Sequence, residues 1–267
     1  MGKTSHQDIE ELTDFAMDAL VTIGKEALNF YGKGRDGIKF DENLVTEAEL
    51  HLVNAYEKLL KARFPDHGLF EKSDLADDYS HDGKRYLWIF DPIDGVDNFQ
   101  SGIPVWGISV ALLENFWPVF GAFHMPATGD LFHARADGKA YRGSDQIAIP
   151  SRNSVDDESI LLTYSRFHQN YTSKFPGKIR DLGCTSAHIC YVATGRADAA
   201  LIANESYKDL AAARIIVEAA GGKICMLDGC TFFLNEYLDG RRIDEHLLVV
   251  APDNLDSVRQ CLAPQPE

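Results

Sequence analysis

The sequence lacks the features that mark membrane and secreted proteins. No apolar run approaches the roughly 18 residues that cross a bilayer, and residues 1–8 lack the apolar stretch of a secretory signal. We therefore expect a cytoplasmic protein with no membrane partner. The 5 cysteines are odd in number and form no CxxC pair, so neither a disulfide framework nor a zinc site is predicted. Buried reduced thiols are expected instead.

Positive charge is also scarce in this chain. Lys and Arg number 26 against 41 Asp and Glu, which gives a net charge of −15 at pH 7. This excess of negative charge opposes binding to nucleic acid. An acidic protein that acts on an anionic substrate needs bound metal ions, because their positive charge reverses the negative electrostatic potential that would repel the substrate. The composition is otherwise that of a globular protein, with 45% hydrophobic residues.

The first third of the chain has helical periodicity. Apolar residues at three- and four-residue steps from Ile9 to Phe30 predict one long helix that ends at residues 32–34. A second helical pattern covers residues 46–60. Thr46 and Glu49 fit a capping box at its start.

Strands and helices then follow in an order that predicts layers. Strands are expected at residues 86–90, 107–113, 119–124 and 130–134, before a polar stretch at 135–157. Further strands at 160–163, 198–202, near 224 and at 247–250 alternate with helices at 186–194, 209–220 and 255–262. This alternation predicts a layered α/β architecture with two subdomains, residues 1–150 and 151–267.

The most informative segment brings two carboxylates to the end of a hydrophobic strand. Asp91 follows that strand, which is expected to break at Pro92 into a turn that holds Asp94. Because proline cannot continue a central strand, both carboxylates can turn toward one point. Hard divalent cations take such oxygen ligands, and the carbonyl of Ile93 can join them.

A helix is expected to begin directly after these carboxylates, at residues 95–98. Its free backbone N–H groups and its dipole suit a phosphate oxygen. A plain acidic turn is the common alternative for one such motif, since Asp, Pro and Gly are frequent turn residues. Two further acids favour a site: Glu71 at the end of a preceding strand, and Asp209 at the start of a later helix.

Several ordered motifs together resemble the inositol monophosphatase family over nearly the whole chain. They are Asp91-Pro-Ile-Asp94-Gly95 with Asn98-Phe99, residues 121–126, residues 193–198 and residues 209–222. The resemblance implies an α/β (α+β) fold, a layered αβαβα sandwich of the inositol monophosphatase and fructose-1,6-bisphosphatase type. A homodimer is expected on the same basis.

The resemblance also implies Mg²⁺ ligands and a reaction. Glu71, Asp91 and the Ile93 carbonyl would hold one Mg²⁺, and Asp91, Asp94 and Asp209 a second. The amides of Gly95 and Val96 would bind phosphate, and Asp209 completes the implied substrate- and phosphate-binding set. The implied catalytic set is Glu71, Asp91, Asp94 and Glu49. The implied reaction is hydrolysis of a small phosphorylated metabolite by metal-activated water, with inositol monophosphate as the default substrate.

Three departures from the family pattern affect this set. Val96 replaces a threonine, and the aspartate that pairs with that threonine to orient water aligns with Glu49; Glu49 is equally well explained as a helix cap or as a catalytic group. Lys72 replaces an acid near Glu71. On the substrate side, Ile202 replaces a glutamate that contacts inositol, and Lys208 replaces a tryptophan.

Other functions therefore stay open. The chain could act as a fructose-1,6-bisphosphatase or as a phosphoadenosine nucleotide phosphatase of the same superfamily. It could also be a catalytically silent member that binds metal and phosphate, in which case Val96→Thr should create activity. We expect packing roles for His124, His133 and His188, core positions for Trp88, Trp106 and Trp117, and a structural role for Asp198.

Overall fold

The computed structural model describes residues 6–35, 40–70, 84–152 and 154–265. Its α-helices are α1 (His6–Ala27), α2 (Glu42–Arg63), α3 (Val96–Ser101), α4 (Phe167–Asn170), α5 (Thr185–Ala193), α6 (Tyr207–Ala219) and α7 (Leu255–Arg259). Short 3₁₀ helices lie at Leu234–Tyr237 and Pro252–Asn254.

Two large sheets and one small sheet make up the β structure. The first sheet contains β1 (Gly68–Leu69), β2 (Tyr86–Asp94), β3 (Gly107–Glu114), β4 (Trp117–Met125), β5 (Asp130–Arg135), β6 (Ala140–Arg142) and β7 (Asp145–Ile147), in chain order. The others use β8 (Ile160–Thr163), β9 (Tyr171–Ser173), β10 (Lys178–Arg180), β11 (Ala199–Ile202), β12 (Lys223–Met226), β13 (Leu247–Val250) and β14 (Leu262–Pro264). The second sheet has the order β10-β8-β11-β13-β12, and β14 pairs with β9.

Alternate side chains of β2 enter two different hydrophobic cores, one on each face of the first sheet. Tyr86, Trp88 and Phe90 are buried in the core formed with α1 and α2. Leu87 and Ile89 point the other way, into the core formed with α5 and α6. Asp91 is next in this second series, so the strand directs its carboxylate toward α6.

The layers follow the predicted αβαβα order. Helices α1 and α2 cover one face of the first sheet, while α5 and α6 lie between the two sheets. Val258 of α7 packs with Leu161 and Leu248 on the outer face of the second sheet. The predicted layered architecture is confirmed by this arrangement of helices and sheets. The division at residue 150 stays a prediction, although the two sheets take their strands from opposite sides of it.

The predicted capping box of the second helix is wrong. Helix α2 begins at Glu42, so Thr46 and Glu49 lie inside it, and its N-cap is Asp41. The Asp41 carboxylate accepts a hydrogen bond from the Leu44 amide at 3.3 Å and from Arg35 Nε at 2.7 Å. The hydrogen bond from Arg35 lowers the pKa of Asp41 to about 2. Glu49 therefore has no capping role in this helix.

Three smaller expectations are also corrected. Residues 135–157 are not a plain polar stretch, because β6 and β7 extend the first sheet through them. Trp117 is 70% exposed, unlike Trp88 and Trp106, because it begins β4 directly after a tight turn. Cys230 is exposed rather than buried. Of the described helices, none is long and apolar enough to serve as a membrane span.

Candidate active site

Strand β2 does not break at Pro92, contrary to the prediction, but continues through a bulge. Asp91 lies opposite Ser109 and Asp94 opposite Gly107, so β2 holds one more residue than β3 over this stretch. A bulge accommodates a proline and redirects the side chains beside it. Asp91 and Asp94 therefore keep a rigid strand end as their support.

The Asp94 carboxylate connects the first sheet to α5. It accepts hydrogen bonds from the backbone amides of Thr185 at 3.2 Å and Ser186 at 2.5 Å. These are the first two residues of α5, whose own N-cap, Cys184, makes no side-chain capping bond. Asp94 thus caps a helix that is distant in sequence. Burial raises the pKa of Asp94, although the amide hydrogen bonds oppose the shift.

Gly95 allows α3 to begin directly after Asp94. It has φ +87°, and a Cβ atom there would lie 3.0 Å from both the Cys184 Cβ and the Val105 carbonyl oxygen. Within α3, the Asn98 amide group donates to the carbonyls of Val105 at 2.6 Å and Leu182 at 2.7 Å. The Asp94-Gly95 and Asn98 parts of the motif therefore hold α3 against the loop that leads into α5.

The third carboxylate of the site, that of Asp209, lies in the first turn of α6. Asp209 forms a capping box with Ser206, whose amide and hydroxyl donate to Oδ2 at 2.8 and 2.9 Å. Arg242 Nη1 lies 3.4 Å from the same oxygen. Gly121 of β4 makes this position reachable, because a Cβ atom there would lie 2.5 Å from the Ala212 carbonyl oxygen of α6.

Lys208 projects from the same turn of α6 to Asp91. Its Nζ lies 3.0 Å from Asp91 Oδ1, with the side chains 38% and 4% exposed. Burial, aided by the charges of Asp209 and Asp94, raises the pKa of Asp91 to about 7, although Lys208 opposes the shift. Burial alone would lower the pKa of Lys208, but Asp91, Asp209 and Glu49 raise it overall. Lys208 therefore stays cationic among these acids.

An open cavity of about 760 Å³ lies beside the carboxylates. Its lining residues include Gly95, Val96, Glu49, Thr185 and Glu205. Burial raises the pKa of the half-buried Glu49, with Lys208 opposing and Asp209 assisting the shift. The helix start predicted to hold phosphate thus faces a space large enough for a small metabolite.

The structure brings most of the predicted site residues together. Asp91, Asp94 and Asp209 interact electrostatically, and Glu49 interacts with Asp209. Ile93 is buried in the core beside α1 and α2, so its side chain is not part of the site, and the role of its carbonyl stays a prediction. Glu71 and Lys72 lie outside the described residues.

Sequence reasoning missed several polar residues of the cavity, among them Thr185, Asp181, Glu205 and Arg242. The Thr185 hydroxyl donates to Glu205 at 2.7 Å. Burial, assisted by the charge of Asp94, raises the pKa of Glu205 well above its usual value. The available signal was the position of Glu205 directly before the start of α6, since loops at helix starts commonly line sites.

The expected structural roles of His188 and Asp198 agree with their contacts. His188 is buried, and its Nε2 accepts a hydrogen bond from the Leu182 amide at 3.0 Å. Burial lowers the pKa of His188 to about 4, which keeps the ring neutral at pH 7. Asp198 Oδ2 accepts from the Ile160 amide at 2.8 Å, at the start of β8.

The carboxylates suit a hard divalent cation by their chemistry. They are oxygen donors of like charge: Asp91 is buried, the charges of Asp209 and Asp94 help to raise its pKa, and a bound cation would act in the opposite direction. Within the described ranges, no group of three His, Cys, Asp or Glu side chains is placed so that it could hold a metal ion. The site also differs from one that contains only metal ligands, because the Lys208 ammonium group pairs with Asp91.

Comparison with known proteins defines the class to which this fold and site belong. The sequence model of the inositol monophosphatase family matches residues 8–257. The chain therefore belongs to the inositol monophosphatase family, whose members are phosphatases that hydrolyse phosphomonoesters.

Individual relatives differ in the substrates that their names state. A histidinol-phosphatase of Chlorobaculum parvum is 30% identical over 80% of this chain and 84% of its own length. A fructose-1,6-bisphosphatase/inositol-1-monophosphatase of Thermotoga maritima is 30% identical over 81% of this chain and 85% of its own. The structure of inositol monophosphatase II from Staphylococcus aureus has a TM-score of 0.75 at 20% identity, covering 94% of this chain and 92% of its own, and shows the fold.

Proposed function

We propose that the chain is a Mg²⁺-dependent phosphatase that releases phosphate from a small phosphorylated metabolite at the cavity beside Asp91, Asp94 and Asp209. The observation that carries this proposal is the electrostatic interaction of Asp91 and Asp94 on β2 with Asp209 on α6, close to the start of α3. Inositol monophosphate is the first substrate to test. Fructose 1,6-bisphosphate and phosphoadenosine phosphate are the other candidates from the same superfamily.

Each site residue has a proposed task. Asp91, Asp94 and Asp209, with Glu71 and the Ile93 carbonyl, would hold the divalent cations. When bound, such cations neutralise phosphate charge and lower the pKa of the attacking water. Asp94 is held in place by two α5 amides and Asp209 by Ser206, so neither carboxylate needs to reorganise on substrate binding.

The other proposed tasks concern phosphate and proton handling. The amides of Gly95 and Val96 would donate to phosphate oxygens, because the first N–H groups of a helix have no partner within it. Glu49 would accept a proton from the attacking water. Its raised pKa brings it nearer to the range in which a carboxylate is an effective base. Val96 offers no hydroxyl to assist it.

A second candidate substrate, an amino-alcohol phosphate such as histidinol phosphate, is favoured by the charge of the cavity. Acidic residues line it at Glu42, Asp97 and Asp181 in addition to Glu49 and Glu205. Among the described residues on its wall, Arg242 is the single Lys or Arg. A substrate with a cationic leaving group complements this wall better than a neutral polyol.

Asp181→Asn separates the two substrate classes. Asp181 accepts hydrogen bonds from the Ser165 hydroxyl at 2.7 Å and the Gly183 amide at 2.8 Å, and asparagine can keep both contacts without the charge. With Mg²⁺, we expect KM for histidinol phosphate to rise about fivefold, the effect of one exposed charge pair of about 1 kcal/mol. KM for inositol 1-phosphate should change less than twofold.

The measurement is phosphate release from both substrates, with fructose 1,6-bisphosphate and phosphoadenosine phosphate in the panel and EDTA as the blank. Equal effects of Asp181→Asn on the cationic and neutral substrates would contradict recognition of a cationic group. A preference for one of the bisphosphates would replace both leading substrates.

Homodimer formation and a cytoplasmic location belong to the same proposal. Both rest on the family resemblance and on the composition of the chain. Light scattering of the purified protein tests the first: a mass twice that of the 29.7 kDa chain supports a dimer, and a mass equal to it contradicts one.

A further inference from the structure

Lys208 occupies an unusual position for a basic residue. It lies in the first turn of α6, where the helix dipole favours anions and disfavours cations. Despite this, its ammonium group is drawn inward to 3.0 Å from Asp91 Oδ1. A lysine at a helix start normally extends into water, so the surrounding acids must account for this placement.

The other two carboxylates have further donors. Asp94 accepts from two α5 amides, and Asp209 accepts from Ser206 and, at 3.4 Å, from the guanidinium group of Arg242. For Asp91, the described residues provide the Lys208 ion pair. Lys208 is therefore the cation that compensates Asp91, the most deeply buried acid of the group. Asp91 is also the residue that the family resemblance makes the shared ligand of both metal positions.

A charge count shows what this cation changes. When ionised, the four acids Asp91, Asp94, Asp209 and Glu49 together with the cations Lys208 and Arg242 carry a formal charge of minus two, which a single divalent ion neutralises. Without Lys208 the charge is minus three, and one divalent ion leaves an excess negative charge. An ammonium group on Asp91 Oδ1 also repels a divalent ion on the same oxygen, with twice the energy of a monovalent pair at equal distance. Oδ2 stays available to one ion.

We propose that the Lys208 ammonium group takes the place of one divalent ion at Asp91, between the β2 and α6 carboxylates, so that the chain binds one ion fewer than the carboxylate set alone would hold. This inference rests on the proposed metal-dependent function and specifies its ion requirement. The position lost is the one formed with Asp209, because Lys208 and Asp209 are neighbours in the same helical turn.

The test counts Mn²⁺ ions bound to the full chain without substrate, by electron paramagnetic resonance of free Mn²⁺ in a titration. The wild type is compared with Lys208→Met, which removes the charge and keeps an unbranched side chain. Lys208→Arg keeps the charge. Lys178→Met removes a lysine of similar exposure, 40%, that pairs with Glu158 at 2.7 Å outside the site, and serves as the matched charge control.

We expect Lys208→Met to bind one more Mn²⁺ per chain than the wild type, and Lys208→Arg and Lys178→Met to match the wild type. Melting curves with increasing Mn²⁺ should show a second rise in melting temperature for Lys208→Met alone. If Lys208→Met does not fold, Lys208→Gln replaces it. The same number of ions in Lys208→Met and wild type, with affinities within about threefold, would overturn the inference.

The outcome for the inference can be distinguished from the outcome for the proposed function. A wild type that binds as many ions as Lys208→Met and still releases phosphate in a Mg²⁺-dependent manner overturns the role of Lys208 and supports the function. A wild type and a Lys208→Met variant that both bind no Mn²⁺ overturn the inference and the metal requirement of the function together.

Discussion

Asp91→Asn is expected to abolish phosphate release and to leave the metal-free fold at least as stable as the wild type. Asparagine resembles the protonated carboxyl group, which the folded protein favours because burial raises the pKa of Asp91 to about 7. A carboxyl group whose pKa is raised on folding costs stability once the pH exceeds its unfolded pKa, and asparagine removes that cost. Lys208 keeps the charges of Asp209 and Glu49 beside it in the variant.

The measurements for Asp91 are urea unfolding in EDTA and phosphate release in Mg²⁺. Loss of a group that stabilises charge at the reaction centre should lower kcat by at least about 10²-fold in Asp91→Asn. Asp130→Asn is the matched control, since Asp130 pairs with Arg142 at 2.6 Å away from the site and should lose stability with activity intact. An Asp91→Asn variant that is less stable than the wild type in EDTA, or that keeps the wild-type kcat, would contradict this account.

Gly121→Ala is expected to lower the free energy of unfolding by about 3 kcal/mol, the upper part of the range for overpacking. The new methyl group would lie 2.5 Å from the Ala212 carbonyl oxygen, and backbone atoms cannot yield as a flexible side chain can. Helix α6 must move away from β4, and Lys208 and Asp209 move with it. A displacement of about 1 Å at a reaction centre can cost 10²-fold in rate, so the folded fraction should also lose turnover.

Gly129→Ala controls for the glycine substitution itself. Gly129 has φ +78°, and no atom lies within 4 Å of the position that a Cβ atom would take there, so alanine meets backbone strain alone, about 1–2 kcal/mol. Urea unfolding and kcat of the three proteins are compared under conditions in which all are folded. A Gly121→Ala variant as stable and as active as Gly129→Ala would show that close packing of β4 on α6 does not position the site.

The part of the site that lies on one segment was predictable from the sequence. Asp91, Asp94 and Gly95 follow a hydrophobic strand, and strand alternation alone directs Asp91 to the face opposite Tyr86 and Trp88. The broken strand was a misjudgement, because a bulge lets a proline stay within a paired strand. The family pattern also located Asp209 at a helix start.

Partnerships between distant segments were not predictable in the same way. Thr46 and Glu49 match a local capping pattern, but the buried Asp41, paired with Arg35, begins the helix earlier. Lys208 was identified as a departure from the family, yet its contact with Asp91 depends on how β4 and α6 pack. Local patterns contain no information on such long-range contacts, which explains why the Thr185–Glu205 hydrogen bond and the Arg242–Asp209 pair were not predicted.

The central claim is tested most directly by titrating Mg²⁺ into phosphate release by the wild type and by Asp94→Asn, with the substrate that the panel selects. The account predicts a rate that rises from the EDTA baseline to saturation in the wild type, and a rate at least about 10²-fold lower in Asp94→Asn. A wild type that binds Mg²⁺ but releases no phosphate from any compound would identify a catalytically silent member of the family. Equal rates in the two proteins would place the reaction at another site.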